Sequence, residues 1–343
     1  MFKRFCFGVT ISFLTMVIFQ GCWDSGDSHG YRIKVLMVAD GEYDDNSFNQ
    51  SCREGLERAV QNLGVKADYQ IIDNVGTVDP ATMLDRLYPD DYDLVIANGF
   101  FFAESIAHAA ADYPDTRFAI VDYAYEQVPA NVNCIIFNAD EAAFVLGYLG
   151  AAWAAIRDPN DPVIAYVGGM DIPPVRQWTD PYCSGVDHYN TVHSAAVGCE
   201  GDFSTDFYDL NQGSLIAEDL ITDGADVIFG CGGLAGNAAL ETAKRNGAWG
   251  IGVDRDMYEV MPSVQDIILS SGIKRFDNGV FAVVQSVAED DFDGGGTYRG
   301  NLLNGGVTLA PYHDYTDDIP AGIQNEVDNV IEGIKNGAIS TGW

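Results

Sequence analysis

Short apolar runs alternate along this chain with stretches of helical periodicity, and that alternation narrows the possible folds more than any other property. "IKVLMVA" (33–39), "DYQII" (68–72), "DLVIAN" (93–98), "RFAIVD" (117–122) and "NCIIFN" (133–138) read as strands. Most are too continuously apolar to leave one face in water, so they need cover on both sides. Helix-like segments such as 47–63 and 103–111 lie between them and supply that cover. The pattern predicts an α/β lobe built on a parallel sheet.

The alternation then restarts. "PVIAYVGG" (162–169), "HSAAVGC" (193–199), "DVIFGCGG" (226–233) and "WGIGVD" (249–254) predict a second lobe, with helices near 175–189, 210–222 and 235–245. "DIILSSG", a helix over 278–290, a strand around 306–311 and a closing helix over 319–336, ended by Gly337, complete the chain. The expected division is 32–137 plus about 268–310 for the N-terminal lobe and 138–267 plus about 311–343 for the C-terminal lobe. In open parallel sheets ligands bind beyond the carboxyl ends of strands. The distinctive residues fall there: 40–49, Asn98-Gly99 and Asp122 in the first lobe, and 168–171, 230–233 and Asp254 in the second.

Lys3 and Arg4 precede the apolar run 5–19, which is short for a membrane span and reads as a secretory signal over 1–21. Cys22 follows Gly21 as in a bacterial lipoprotein cleavage site, although Phe19 and Gln20 fit that pattern poorly. Cys22 is thus the expected lipidation site, with 22–31 a flexible tether. The alternative is ordinary cleavage that leaves a spare thiol. The formal charge is −33, and loss of Lys3 and Arg4 leaves 16 basic against 51 acidic residues. So acidic a surface repels nucleic acid and anionic lipid and suits a high-salt habitat. Cys52, Cys134, Cys183, Cys199 and Cys231 form no metal knuckle and are expected as buried single thiols; Cys199 and Cys231 could meet if their strands are neighbours.

"ADGEYDDNSFNQSCREGLERA" (39–59) carries two competing chemistries. Asp40, Asp44 and Asp45 match the last three aspartates of the DxDxGxDD motif of calcium-dependent nucleoside hydrolases, but Val38 stands where the first carboxylate belongs and Glu42 where the glycine does. The metal would be under-coordinated. In the other reading Asp45 or Asn46 caps the helix that begins near Ser47, and Phe48 packs in its first turn.

The segment "DDNSFNQSCREGL" closely resembles the D-K-S-F-N-Q-S-x-x-E-G-L signature of the basic membrane protein family, bacterial lipoproteins that serve as purine nucleoside receptors of ABC-type importers. "NGFFFAESIAHAAADYPDTRFAIVDY", "NVNCIIFNADEAAFVLGYLGAAWA", "YVGGMDIPPV", "DGADVIFGCGGLAGNAALETAK", "IGVDRD" and "ILSSGIKRFD" are similar to further blocks of that family, in the same order. The resemblance covers nearly all of the chain after the tether. It departs at Trp178 and Asp180-Pro181, where a break in the helix is expected, and at "STDFYDLNQG", which lacks the usual Gly-Ser before the aromatic.

The resemblance implies a type I periplasmic-binding-protein fold, two Rossmann-like lobes joined by a hinge, which binds guanosine, inosine or adenosine between them. Phe48 and Phe207 would sandwich the purine. Asp122 would accept hydrogen bonds from its edge, and Asn49 would offer a donor and an acceptor. Asp254 would hold the ribose hydroxyls, Lys274 would reach the sugar and pair with Asp254, and Gly232 and Gly233 would let the backbone approach. On the residues alone the alternatives are core phenylalanines, a capping Asp122 and a solvated Lys274. The implied protein is a monomer, not an enzyme, without cofactor or metal, anchored by lipid to the cell membrane and facing the periplasm or exterior. An ABC-type permease is its implied partner. The other readings are a binding protein or sensor for a different sugar-like or nucleobase ligand, and the hydrolase.

Overall fold

The computed structural model describes residues 33–45, 47–72 and 79–343. The signal, the tether, Cys22 and Asn46 lie outside the described residues. In the first half, strands β1 (Lys34–Ala39), β2 (Lys66–Ile71), β3 (Leu94–Asn98), β4 (Arg117–Val121) and β5 (Val132–Phe137) alternate with helices α1 (Phe48–Leu63), α2 (Pro80–Met83) and α3 (Ala103–Asp112). After α4 (Ala139–Arg157) come β6 (Val163–Gly168), α5 (Pro173–His193), β7 (Gly198–Phe203), α6 (Leu210–Thr222), β8 (Val227–Cys231), α7 (Gly233–Asn246) and β9 (Trp249–Asp254). The chain ends with α8 (Met257–Val260), β10 (Ile268–Lys274), α9 (Phe276–Ala288), β11 (Thr297–Gly300), β12 (Val307–Leu309) and α10 (Ala321–Lys335).

These strands form two six-stranded sheets, in the orders β2-β1-β3-β4-β5-β11 and β7-β6-β8-β9-β10-β12. Every pairing is parallel except β10 with β12. β1 shows why such strands are apolar throughout. Val35 and Met37 point into one core while Leu36 and Val38 point into another, on the opposite face of the sheet. α4 is apolar all round because it is buried against α5, α10 and the second sheet. Its Gly147 and Gly185 of α5 let the two helices touch: a Cβ on Gly147 would stand 1.8 Å from the Tyr182 carbonyl oxygen, and one on Gly185 2.0 Å from that of Phe144.

Several expectations are corrected. Ile268–Lys274, expected with the first lobe, pairs with β9 in the second sheet, and β12 joins it there. Only α9 and β11 of that stretch return to the first lobe, against α1 and β5. A buried apolar run carries no mark of which sheet it joins. β7 begins at Gly198, not 193, because α5 continues to His193 and stops at Ser194, whose φ is 53°. The helix does not break at Asp180-Pro181: α5 runs through, with Pro181 buried inside it. Cys183 and Cys199 are not single thiols but a disulfide that ties α5 to β7, whereas Cys52, Cys134 and Cys231 are free and buried.

Candidate functional site

The carboxyl ends of both sheets open on one cavity of about 560 Å³, within the range of small-molecule sites. All eight residues singled out as ligand contacts in the sequence line it: Phe48, Asn49, Asp122, Phe207, Gly232, Gly233, Asp254 and Lys274.

The β1–α1 loop brings in the first pair. Tyr43 pins this loop, its hydroxyl donating to the Met37 carbonyl at 2.8 Å and to that of Gln70 at 3.2 Å. Asp45 caps α1: its carboxylate accepts from the backbone N–H groups of Ser47 (2.8 Å), Asn49 (2.9 Å) and Gln50 (3.1 Å). That cap delivers Phe48 and Asn49 to the cavity wall. The Phe48 ring stands edge-on to Phe276 at 4.8 Å and lies beside Gly99. The aspartates that raised the hydrolase reading have separate partners. Asp44 pairs with Arg53, and Asp40 accepts from the Tyr208 hydroxyl at 3.4 Å. Among the described residues no group of three or more His, Cys, Asp or Glu side chains is placed to hold a metal ion.

Phe207 comes from the facing lobe, in the β7–α6 loop. Gly169 and Gly232 make its seat. A Cβ on Gly169 would meet the Phe207 ring at 2.4 Å, and one on Gly232 would meet the Gly169 nitrogen at 2.4 Å. The 168–170 loop thus supports an aromatic of the cavity.

Charge concentrates at the floor. The Lys274 ammonium, 3% exposed, donates to both oxygens of Asp122, at 3.0 and 2.8 Å. This corrects the expected Lys274–Asp254 pair. In the β9–β10 register Asp254 stands beside Ile273, one residue short of Lys274. Burial works against the ammonium's charge, but Asp122 and Asp254 outweigh it and raise its pKa. Burial likewise pushes the Asp254 carboxyl up to about 6, with Lys274 pulling the other way. Because Asp122 belongs to one lobe and Lys274 to the other, this ion pair crosses the cleft. Two further contacts cross it: Arg255 to Glu54 at 3.1 Å and Tyr208 to Asp40.

An apolar cleft lined by an aromatic from each lobe, with a few polar groups at its floor and three inter-lobe polar contacts among the described residues, is suited to enclosing a small molecule. Residues 32–341 match the family model described as ABC transporter substrate-binding protein, PnrA-like. The chain belongs to this family. Within curated relatives, an uncharacterized lipoprotein of Pyrococcus furiosus is 28% identical over 309 residues, covering 88% of this chain and 76% of the relative. Basic membrane protein A1 of Borrelia garinii is 26% identical over 325 residues, covering 93% and 91%. An ABC transporter solute-binding protein from Aeropyrum pernix K1 superposes with a TM-score of 0.81 at 25% identity, covering 90% of this chain and 92% of that one. The two-sheet architecture is therefore that of the periplasmic binding proteins, and a small-molecule ligand and a membrane permease are the partners of such a family.

For this PnrA-like member the structure adds cavity residues that sequence reasoning missed. Trp178 lines the wall, with the Lys274 ammonium 5.7 Å from its ring centroid. The signal was its spacing: Trp178 lies three and four residues after Val175 and Pro174, which share its helix face and also line the cavity. Tyr208 and Asn237 left no such signal.

Proposed function

We propose that this protein captures a purine nucleoside between its two lobes and delivers it to an ABC-type permease. The observation that carries the reading is the placement of Phe48 and Phe207, from opposite lobes, on one cavity. Two aromatic faces suit the two faces of a base. Asp122 would take donors on the base edge, and an ionised Asp254 would accept from both ribose hydroxyls. Closure of the lobes would exclude water without chemistry on the ligand.

The same reading places the mature protein, as a monomer, on the outer side of a cell membrane, held through a lipid on Cys22. The Cys183–Cys199 bond supports export, since disulfides persist in oxidising compartments. Two relatives' names, lipoprotein and basic membrane protein, agree with an anchor. A thermal-shift panel of guanosine, inosine, adenosine, cytidine, ribose and free bases tests the ligand. Purine nucleosides should raise the melting temperature; stabilisation by ribose alone would reject the stacking role. Release of hypoxanthine from inosine in the presence of calcium would instead support the hydrolase. Cys22→Ala should move the protein from the membrane to the soluble fraction.

A further inference from the structure

Asn98 ends β3 and is wholly buried. Its Nδ2 donates to Oδ1 of Asn49 at 3.2 Å, while its own Oδ1 is sealed without a partner among the described residues. The reverse arrangement would bury both Asn98 N–H groups with no acceptor, and orphaned donors are rarer in proteins than under-used carbonyls. Asn49 is held from the other side too, its backbone N–H bonded to Asp45. Its Nδ2 lies 3.5 Å from where a Cβ on Gly41, a cavity residue, would stand. Asn49 therefore gives its acceptor to Asn98 and leaves its donor on the side of Gly41 and the cavity.

We propose that Asn98 is a positioning residue that makes Asn49 a donor-only contact and so biases the site toward 6-oxopurine nucleosides over adenosine. This rests on the nucleoside reading above. A free carboxamide pairs adenine with both of its atoms, accepting from N6 and donating to N7. With its oxygen held, Asn49 loses that mode. A 6-oxopurine presents O6 and N7 as neighbouring acceptors to a donor, and its N1–H suits the Asp122 carboxylate, which only accepts.

Calorimetric affinities of the mature chain for inosine, guanosine and adenosine test this. Wild type should bind inosine about tenfold more tightly than adenosine. Asn98→Leu, which frees the amide to rotate, should bring the two within about twofold while the ligand-free melting temperature changes little. Asn98→Asp should accept from the Asn49 amide, turn its carbonyl to the cavity and reverse the preference. If the buried carboxylate prevents folding, Asn98→Leu still decides. A purely structural Asn98 would weaken all nucleosides by one factor and leave the ratio unchanged, and that result overturns the proposal. Nucleoside binding without a 6-oxo preference in wild type rejects this inference alone, whereas no nucleoside binding at all rejects it together with the proposed function.

Discussion

Asp122 and Asp254 occupy equivalent places in the two sheets. Asp122 directly follows β4, which lies between β3 and β5, and Asp254 ends β9, which lies between β8 and β10. Both adopt a left-handed backbone, φ 61° and 65°, a conformation that short polar side chains tolerate better than most. The repeated lobe thus aims two carboxylates at one cavity, and Lys274 is the cation buried with them.

Replacing Lys274 with Met should therefore cost about 3 kcal/mol at pH 7, because it leaves a buried carboxylate without its counter-charge. The loss should shrink at pH 5, where protonation relieves the repulsion between Asp122 and Asp254. Urea unfolding at the two pH values measures both, and an unchanged midpoint at pH 7 would show that the pair carries no net stability.

Asp254 also sets a pH dependence. Its folded pKa of about 6 lies above its ordinary 3.8, so in the interval between them the folded chain binds more protons than the unfolded one. Its contribution to ligand-free stability is complete below the ordinary value and is lost as pH rises through about 6. Nucleoside binding should move the other way. In the proposed ribose role Asp254 acts as the ionised carboxylate, so affinity should fall about fivefold from pH 6 to pH 5. Titration of binding against pH, with Asp254→Asn as the control that lacks the inflection, checks this.

Phe207 and its glycine seat make a paired prediction. Phe207→Ala should weaken purine nucleoside binding by about tenfold or more, the worth of one base–aromatic stack. Gly169→Ala, which drives a methyl against the Phe207 ring, should give a similar loss without touching the ligand. The double variant should lose little more than Phe207→Ala alone; additive losses would mean that Gly169 acts elsewhere.

Removal of the Cys183–Cys199 bond, by reduction or by Cys183→Ser with Cys199→Ser, should lower stability by about 3 kcal/mol, as expected for a closed loop of roughly this size. Differential scanning calorimetry in the presence and absence of reductant would show a drop of several degrees. Nucleoside affinity should be unchanged, because neither cysteine lines the cavity.

Much of this was legible in the sequence because buried parallel strands and amphipathic helices carry local signals. The β1–α1 turn, the capping Asp45 and the aromatic Phe48 could be read from adjacent residues. β7 could not: its "GCEGDF" is a half-exposed edge strand that needs few apolar side chains, while the apolar "AAV" before it lies in the irregular connection from α5. β11, four residues in a glycine-rich stretch, was invisible for the same reason. Trp178 drew notice only as a departure from a motif, although its spacing after Pro174 and Val175 puts it on the cavity face of α5.

The sequence by itself determined two α/β lobes, an acidic chain and the set of residues that meet at the strand ends, because hydrophobic period, capping and motif order are properties of neighbouring residues. Only the tertiary structure decided that β10 joins the second sheet, that Lys274 clasps Asp122 instead of Asp254, that Cys183 finds Cys199, and that Asn98 takes the oxygen of Asn49. Each of these is a choice among partners far apart in the chain, made by the register of a sheet or the crossing of two helices, and residues that look alike along the sequence become unlike once those crossings are fixed.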